Sequence, residues 1–417
     1  MAYTFQRTSF SSRRVFGAGA VLSFAAVSCV LSISGCDGDD IEAVGPGSGG
    51  GGGSGGMGGS DAGVSGSGGS GDAGPSGPSG TLEVLSTAPE LRAPTTAAVR
   101  GNNLWVVNGQ LNGLFGGALT NLPFTVVSLP LTGGDIGSTV VELPEDDFYP
   151  EGIAAAADGT LYVGSVNLGI IVKVPADSTT ASVFVPAGVA ERAVVGLTVD
   201  ENRDLLWFCD SKPGAPGATG AIVGVSLDDG SEVVRHAMPN PGSMGAVDAG
   251  TPLDAGADAG AAGAAATPAP AAVATFCNDV IVDSTGNIFA TDSSGRIFRV
   301  PAANVMTANS ASVWLSVPEI APPMPGGFGA NGLDIVGNWL VIANGGLVAV
   351  NPNSNNPAST VRTISLTLDG APATLCGPDG LQTVPGSNTD LVVVENGGCN
   401  PPSGDGDRVV RITLDLD

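Results

Sequence analysis

Six hydrophobic strands of one pattern recur along this chain, and a sixfold repeat constrains the fold more than any other feature. They are LWVVN from Leu104, LYVGS from Leu161, LWFCD from Leu205, IFATD from Ile288, LVIAN from Leu340 and LVVVEN from Leu391. About ten residues before four of them stands an oxygen-bearing side chain, in Glu151-Gly152-Ile153, Asn278-Asp279-Val280, Asn331-Gly332-Leu333 and Asp379-Gly380-Leu381. Each copy follows one plan: an outer strand (TVVELP from Thr139), an inner strand (EGIAAAA), the turn DGT, then LYVGS and IIVKVP. Four strands per unit at a period of roughly 40–50 residues predict an all-β, six-bladed β-propeller. An open β-sandwich would give no reason for six similar units. TLEVLS, from Thr81, precedes every inner strand, and the sequence ends in RVVRITL from Arg408. If the first supplies the outer strand of the last blade, the ring closes and no sheet edge is left open.

The N-terminal fifth reads differently. Arg13 and Arg14 precede an apolar run from Val15 to Ile33 that ends Ile33-Ser34-Gly35-Cys36, the layout of an export signal. The last four residues resemble a bacterial lipobox, which implies a signal over residues 1–36, lipidation at Cys36 and display on the bacterial cell envelope. A membrane-spanning helix is the alternative, although the run is only near the minimum spanning length and rich in Gly, Ala and Ser. Ser12-Arg13-Arg14-Val15-Phe16 also resembles a twin-arginine signal, broken by Gly17 and Ala18, so either export route fits. Residues 37–80 are Gly, Ser, Asp and Pro with little to bury, and read as a flexible tether with a reach of roughly 35 Å. The propeller is expected over residues 81–417, interrupted by an Ala/Gly/Asp insertion over 243–272.

Charge and cysteine usage narrow the partners. The formal net charge of −25 argues against nucleic acid and leaves the lipid anchor as the sole membrane contact. A monomer is expected. Beyond the leader, Cys209, Cys277, Cys376 and Cys399 allow three pairings. Cys376 and Cys399 fall in one repeat, while Cys209 ends one strand and Cys277 begins the next repeat, so those two pairs are favoured, in an oxidising compartment. Metal binding by these thiols is the weaker option, since no CxxC and no neighbouring His exists. The single histidine, His236, falls near the end of an outer strand and is expected at the surface. A His-based hydrolase is hard to build from it.

In a propeller the innermost strands line the channel and start on one face. Glu151, Asn278, Asn331 and Asp379 would therefore meet at one rim, although they lie far apart in sequence. Two carboxylates and two amide oxygens form a hard, all-oxygen set suited to Ca²⁺, with Mg²⁺ or Mn²⁺ as alternatives and Zn²⁺ less favoured by softness. Asn108, Asp210, Asp292, Asn344 and Asn396 end the middle strands near the same face and are expected to hydrogen-bond turns instead.

These motifs resemble the gluconolactonase/regucalcin family of six-bladed propellers. Glu151-Gly152, Asn278-Asp279, Asn331-Gly332-Leu333 and Pro378-Asp379-Gly380 stand in the family's order. The resemblance implies that Glu151, Asn331 and Asp379 bind the metal, that Asn278 touches metal or substrate, and that Asp379 is the general base of a lactonase. Two departures stand out. The family commonly carries Arg two residues before its Asn-Asp motif, where this chain has Phe276, and here a full copy precedes the Glu blade. Two functions follow: a metal-dependent hydrolase of a small lactone or ester, or a non-catalytic propeller that binds a protein or glycan with a structural cation.

Overall fold

The computed structural model describes residues 77–115, 121–188, 192–211, 219–239, 275–324, 327–397 and 407–416. The expected leader with Cys36, the tether up to residue 76, the insertion over 243–272 and Cys399 lie outside the described residues.

Six sheets stand in a ring, and the first five are antiparallel with four strands each. From the channel outward, blade 1 is Pro94–Arg100, Asn103–Asn108, Thr125–Pro130 and Val140–Glu142. Blade 2 is Pro150–Ala155, Leu161–Ser165, Ile171–Val174 and Ser182–Val185, and blade 3 is Val194–Asp200, Leu205–Asp210, Ala221–Ser226 and Glu232–Ala237. Blade 4 is Cys277–Val282, Ile288–Asp292, Arg296–Val300 and Ser312–Leu315, and blade 5 is Leu333–Val336, Trp339–Ala343, Leu347–Val350 and Arg362–Thr363. The inner strand of blade 6 is Pro378–Thr383, followed outward by Asp390–Asn396 and Asp407–Asp415.

The N-terminal strand Ser79–Ser86 then closes the ring by pairing antiparallel with Asp407–Asp415, from Ser79 opposite Asp415 to Ser86 opposite Val409. It begins two residues before the expected Thr81. A short hairpin, Ser365–Leu368 and Ala371–Ala373, lies parallel to it on the outside, so blade 6 has six strands and clamps the N-terminal strand from both edges.

The repeated hydrophobic strands read as unbroken apolar runs because each is the second strand of a blade pressed between two others. Leu161–Ser165, Leu205–Asp210 and Ile288–Asp292 are buried at every position. Alternate side chains serve different neighbours. Leu206 and Phe208 pack with Tyr162 and Phe184 of blade 2, while Leu205, Trp207 and Cys209 pack with Val280, Ile288 and Phe298 of blade 4. Six such inter-blade cores run round the ring, the last joining Val392 and Val409 of blade 6 to Leu104 and Val106 of blade 1. A disulfide, Cys209–Cys277, ties blade 3 to blade 4 as the spacing suggested. Cys376 is also disulfide-bonded.

His236 corrects the sequence reading. It is fully buried, packed near the Trp207 ring, because the segment after blade 4's third strand folds over it. Ser310 N–H donates to Nδ1 at 3.2 Å, which leaves Nε2 to donate to Val305 O at 2.9 Å. That pairing fixes a neutral ring, and burial lowers its pKa below the usual 6.5.

Candidate metal centre

The inner strands reach the rim through one recurring irregularity. In blades 1, 2, 3, 4 and 6 the pairing with the second strand breaks just after the first residue, between Pro94 and Ala97, Pro150 and Ile153, Val194 and Leu197, Cys277 and Val280, and Pro378 and Leu381. A bulge of this kind releases two consecutive residues from strand parity and re-aims them. The released pairs are Thr95-Thr96, Glu151-Gly152, Val195-Gly196, Asn278-Asp279 and Asp379-Gly380, with Asn331-Gly332 entering blade 5 at the same level. Three of these strands are introduced by a left-handed residue followed by proline: Ala93 at φ 41°, Tyr149 at φ 45° and Gly377 at φ 62°. Ala93 and Tyr149 have a Cβ and precede proline, so each stores backbone strain of roughly 1–3 kcal/mol, held by the surrounding packing.

Glu151, Asn278, Asn331 and Asp379 line one tight pocket on the channel axis, together with Thr96, Gly196, Asp279, Gly332 and Gly380. The structure thus brings all four expected rim residues together and adds Asp279. Small residues at the second position let the strands converge. A Cβ on Gly332 would lie 2.2 Å from Asp379 O, and one on Gly196 would lie 2.2 Å from Asp279 Oδ1. Only blades 1 and 4 place a larger side chain there, Thr96 and Asp279. The signal that could have found Asp279 is its identity at a position that is Gly in four other copies.

Hydrogen bonds separate the groups that hold the rim from those left free. Thr95 and Thr96 donate their hydroxyls to Glu151 O, fixing the backbone of the Glu151 blade entry. Asn278 Nδ2 donates to Ser293 Oγ at 3.0 Å, leaving Oδ1 as the atom Asn278 can offer. Asp279 accepts Val280 N–H at 2.9 Å and Leu333 N–H at 3.1 Å, so it binds blade 4 to blade 5. Asp379 accepts from the Asn331 side chain and, through Oδ2, from Asn396 Nδ2 at 2.7 Å. Asn396 is therefore a support of the rim, against the expectation that it serves a turn. The other middle-strand ends do serve local structure: Asn108 bonds Arg92 N–H and Glu90 O, Asp210 pairs with Arg235, Asp292 holds Phe276 N–H and Arg296, and Asn344 bonds Glu319 O and Ala321 O.

Two oxygens are left over. Neither Glu151 Oε2 nor Asn331 Oδ1 has a hydrogen-bond partner among the described residues, and both are buried. A buried acceptor without a partner costs roughly 1–3 kcal/mol. None of the described residues lining the pocket is basic. Burial raises the pKa of Glu151 well above the usual carboxylate range, with Asp379 and Asp279 adding repulsion. Burial likewise lifts Asp279 to about 7 and Asp379 to about 7. A cation is the one partner that would satisfy the orphaned oxygens and relieve the mutual repulsion together, so the residues fit a hard divalent ion. They do so only with the amide oxygens included. Among the described residues no group of three or more His, Cys, Asp or Glu is arranged to hold a metal.

Comparison with known proteins agrees on architecture. The family model for the strictosidine synthase-like N-terminal region matches residues 137–174, which include Glu151. No curated protein matches the sequence. Among solved structures, a calcium-binding protein, regucalcin from Agrobacterium tumefaciens strain C58, superposes with a TM-score of 0.50 at 12% identity, over 80% of this chain and 94% of that one. A catalytically inactive virginiamycin B lyase from Staphylococcus aureus with quinupristin gives a TM-score of 0.46 at 12% identity, over 81% of this chain and 100% of that one. By fold, this chain is a six-bladed β-propeller, similar in architecture to that regucalcin.

Proposed function

We propose that the rim pocket holds a divalent cation, Ca²⁺ in first place, and that the propeller is a cation-dependent hydrolase of lactones or esters, displayed on a bacterial envelope through a lipid on Cys36. The observation that carries this reading is the pair of buried, unpartnered oxygens of Glu151 and Asn331 beside Asp379, in a pocket with no basic lining. Glu151, Asn331 and Asp379 would hold the ion, with Asn278 Oδ1 turned to ion or substrate. A bound cation supplies Lewis-acid polarisation of a carbonyl oxygen. The chain's own part is to keep its donors fixed. Asn396 and Asn331 orient the Asp379 carboxylate, and Ser293 orients the Asn278 amide. By the family resemblance, Asp379 would take a proton from an attacking water.

The test is a panel of lactones and aryl esters, given to the chelator-treated chain reloaded in turn with Ca²⁺, Mn²⁺, Mg²⁺ and Zn²⁺. Turnover that needs the ion and falls on the order of a hundredfold or more in Asp379→Ala is expected. Phe276, standing where the family resemblance implies Arg, favours a second reading, a non-catalytic propeller with a structural cation that binds a protein or glycan. Ion binding without turnover of any substrate in the panel would decide for that reading.

A further inference from the structure

Where the chain enters blades 4 and 5 stands an aromatic pair that the cation site itself does not use. The rings of Phe276 and Phe328 meet edge to face with centroids 5.8 Å apart and planes at 71°. Phe276 is half-buried against the core shared by blades 3 and 4, whereas Phe328 is 58% exposed. A single exposed aromatic is ordinary. Its position is what matters here.

Ser293 fastens the pair to the rim. Its N–H donates to Phe276 O at 3.0 Å, its Oγ accepts from Asn278 Nδ2 at 3.0 Å and donates to Ala330 O at 3.2 Å, and its O accepts Gly329 N–H at 2.7 Å. One residue therefore binds the backbone of Phe276, the side chain of Asn278 and the neighbour of Phe328. Phe276 lies two residues before Asn278, which places its Cα roughly 7 Å or less from that of the rim amide. The chain positions of both rings are thus tied, through Ser293, to the rim residue Asn278.

The electrostatics of the pocket are equally plain. Arg296, at the start of blade 4's third strand, is buried and bound to Asp292 through Nε at 2.6 Å. Glu151, Asp279 and Asp379 bring three acidic side chains to the pocket, and none of the described residues lining it is basic. An anionic substrate arm would meet repulsion with no described basic side chain to receive it, whereas a hydrocarbon arm would find two ring faces and edges.

We propose that Phe276 and Phe328 form an apolar subsite that takes the uncharged hydrocarbon arm of the substrate, so that the pocket selects alkyl- or aryl-substituted lactones and esters over polyhydroxylated or anionic ones. This rests on the hydrolase reading above and names its substrate class. Binding of the substrate arm here sets specificity, and neither ring takes part in the chemistry.

The experiment measures binding, so that it does not depend on turnover. The full chain, loaded with Ca²⁺, is titrated calorimetrically with 5-alkyl-2-pyrrolidinones from methyl to hexyl and with a polyhydroxylated lactam. Affinity should rise by roughly two- to fourfold per methylene, the gain that burial of a CH₂ supports. The rise should flatten in Phe328→Ala and survive in Phe328→Leu, and the polyhydroxylated lactam should bind more weakly than the hexyl compound. Absence of lactam binding, an affinity independent of chain length, or a preference for the polyhydroxylated lactam overturns the subsite. The two readings separate cleanly. A chain-length trend in binding without hydrolysis leaves the subsite standing and removes the hydrolase, and hydrolysis without the trend does the reverse.

Discussion

Removing the cation should invert the usual dependence of stability on pH, because the rim then buries carboxylates with nothing to balance them. Asp279 carries the clearest magnitude. Its folded-state pKa of about 7 exceeds the ordinary 3.8, burial being the first cause and Asp334 a further, repulsive one. A group whose pKa is raised on folding contributes stability below its unfolded pKa and loses it as pH rises through the folded value. The window is therefore pH 4 to 7. At about 1.4 kcal/mol per unit, Asp279 alone would remove on the order of 4 kcal/mol across it. Glu151 and Asp379 act in the same direction. His236 opposes them, since its lowered pKa makes the protein lose stability as pH falls below 6.5. The assay is urea unfolding of the chelator-treated chain at several pH values, compared with Asp279→Asn so that His236 and the surface groups cancel. Wild type should lose stability relative to Asp279→Asn as pH rises from 4 to 7. Calcium at a hundredfold excess over Kd should restore about 2.7 kcal/mol at pH 8. A wild-type curve that stays parallel to the Asp279→Asn curve across this window would refute the reasoning.

Two further consequences concern the scaffold. Gly332→Ala would drive a Cβ to 2.2 Å from a backbone oxygen, Asp379 O, that cannot rotate away. Overpacking of this kind should cost roughly 1–3 kcal/mol in thermal unfolding and weaken ion binding with it, whereas an unchanged melting temperature would contradict the convergence of blades 5 and 6. The Cys209–Cys277 bridge spans a sequence separation of 68, for which loop-closure entropy gives about 4 kcal/mol. Replacing both residues with Ala should lower the denaturation midpoint accordingly, with the far-ultraviolet spectrum of the sheet retained.

The ring was legible because a blade's second strand is buried on both faces, and few folds besides a propeller bury an unbroken apolar run six times over. Leu206 and Leu205 show the physical reason, since they face opposite neighbours yet both must be apolar. Closure was legible too, because TLEVLS had no inner strand before it. The hairpin Ser365–Ala373 was not, since its two short strands stand outside the four-strand plan and carry no period. Asp279 was hidden by strand parity, which sends neighbours to opposite faces. The bulge between Cys277 and Val280 suspends that rule, so Asn278 and Asp279 face the pocket together. His236 was misplaced because a polar residue on an outer strand is normally solvated, and no local signal announces the segment from Val305 to Ser310 that covers it. Asn396 differs from its four counterparts because the partner it reaches, Asp379, is itself a rim residue.

Titration of the chelator-treated full chain with Ca²⁺ by calorimetry tests the cation site most directly. One site per chain is expected, with affinity lowered on the order of a hundredfold or more in Glu151→Ala and in Asp379→Ala, and by roughly 10- to 100-fold in Asn396→Ala, which only supports Asp379. Absence of binding for Ca²⁺, Mg²⁺, Mn²⁺ and Zn²⁺ alike, or binding that these three variants leave unchanged, would contradict it.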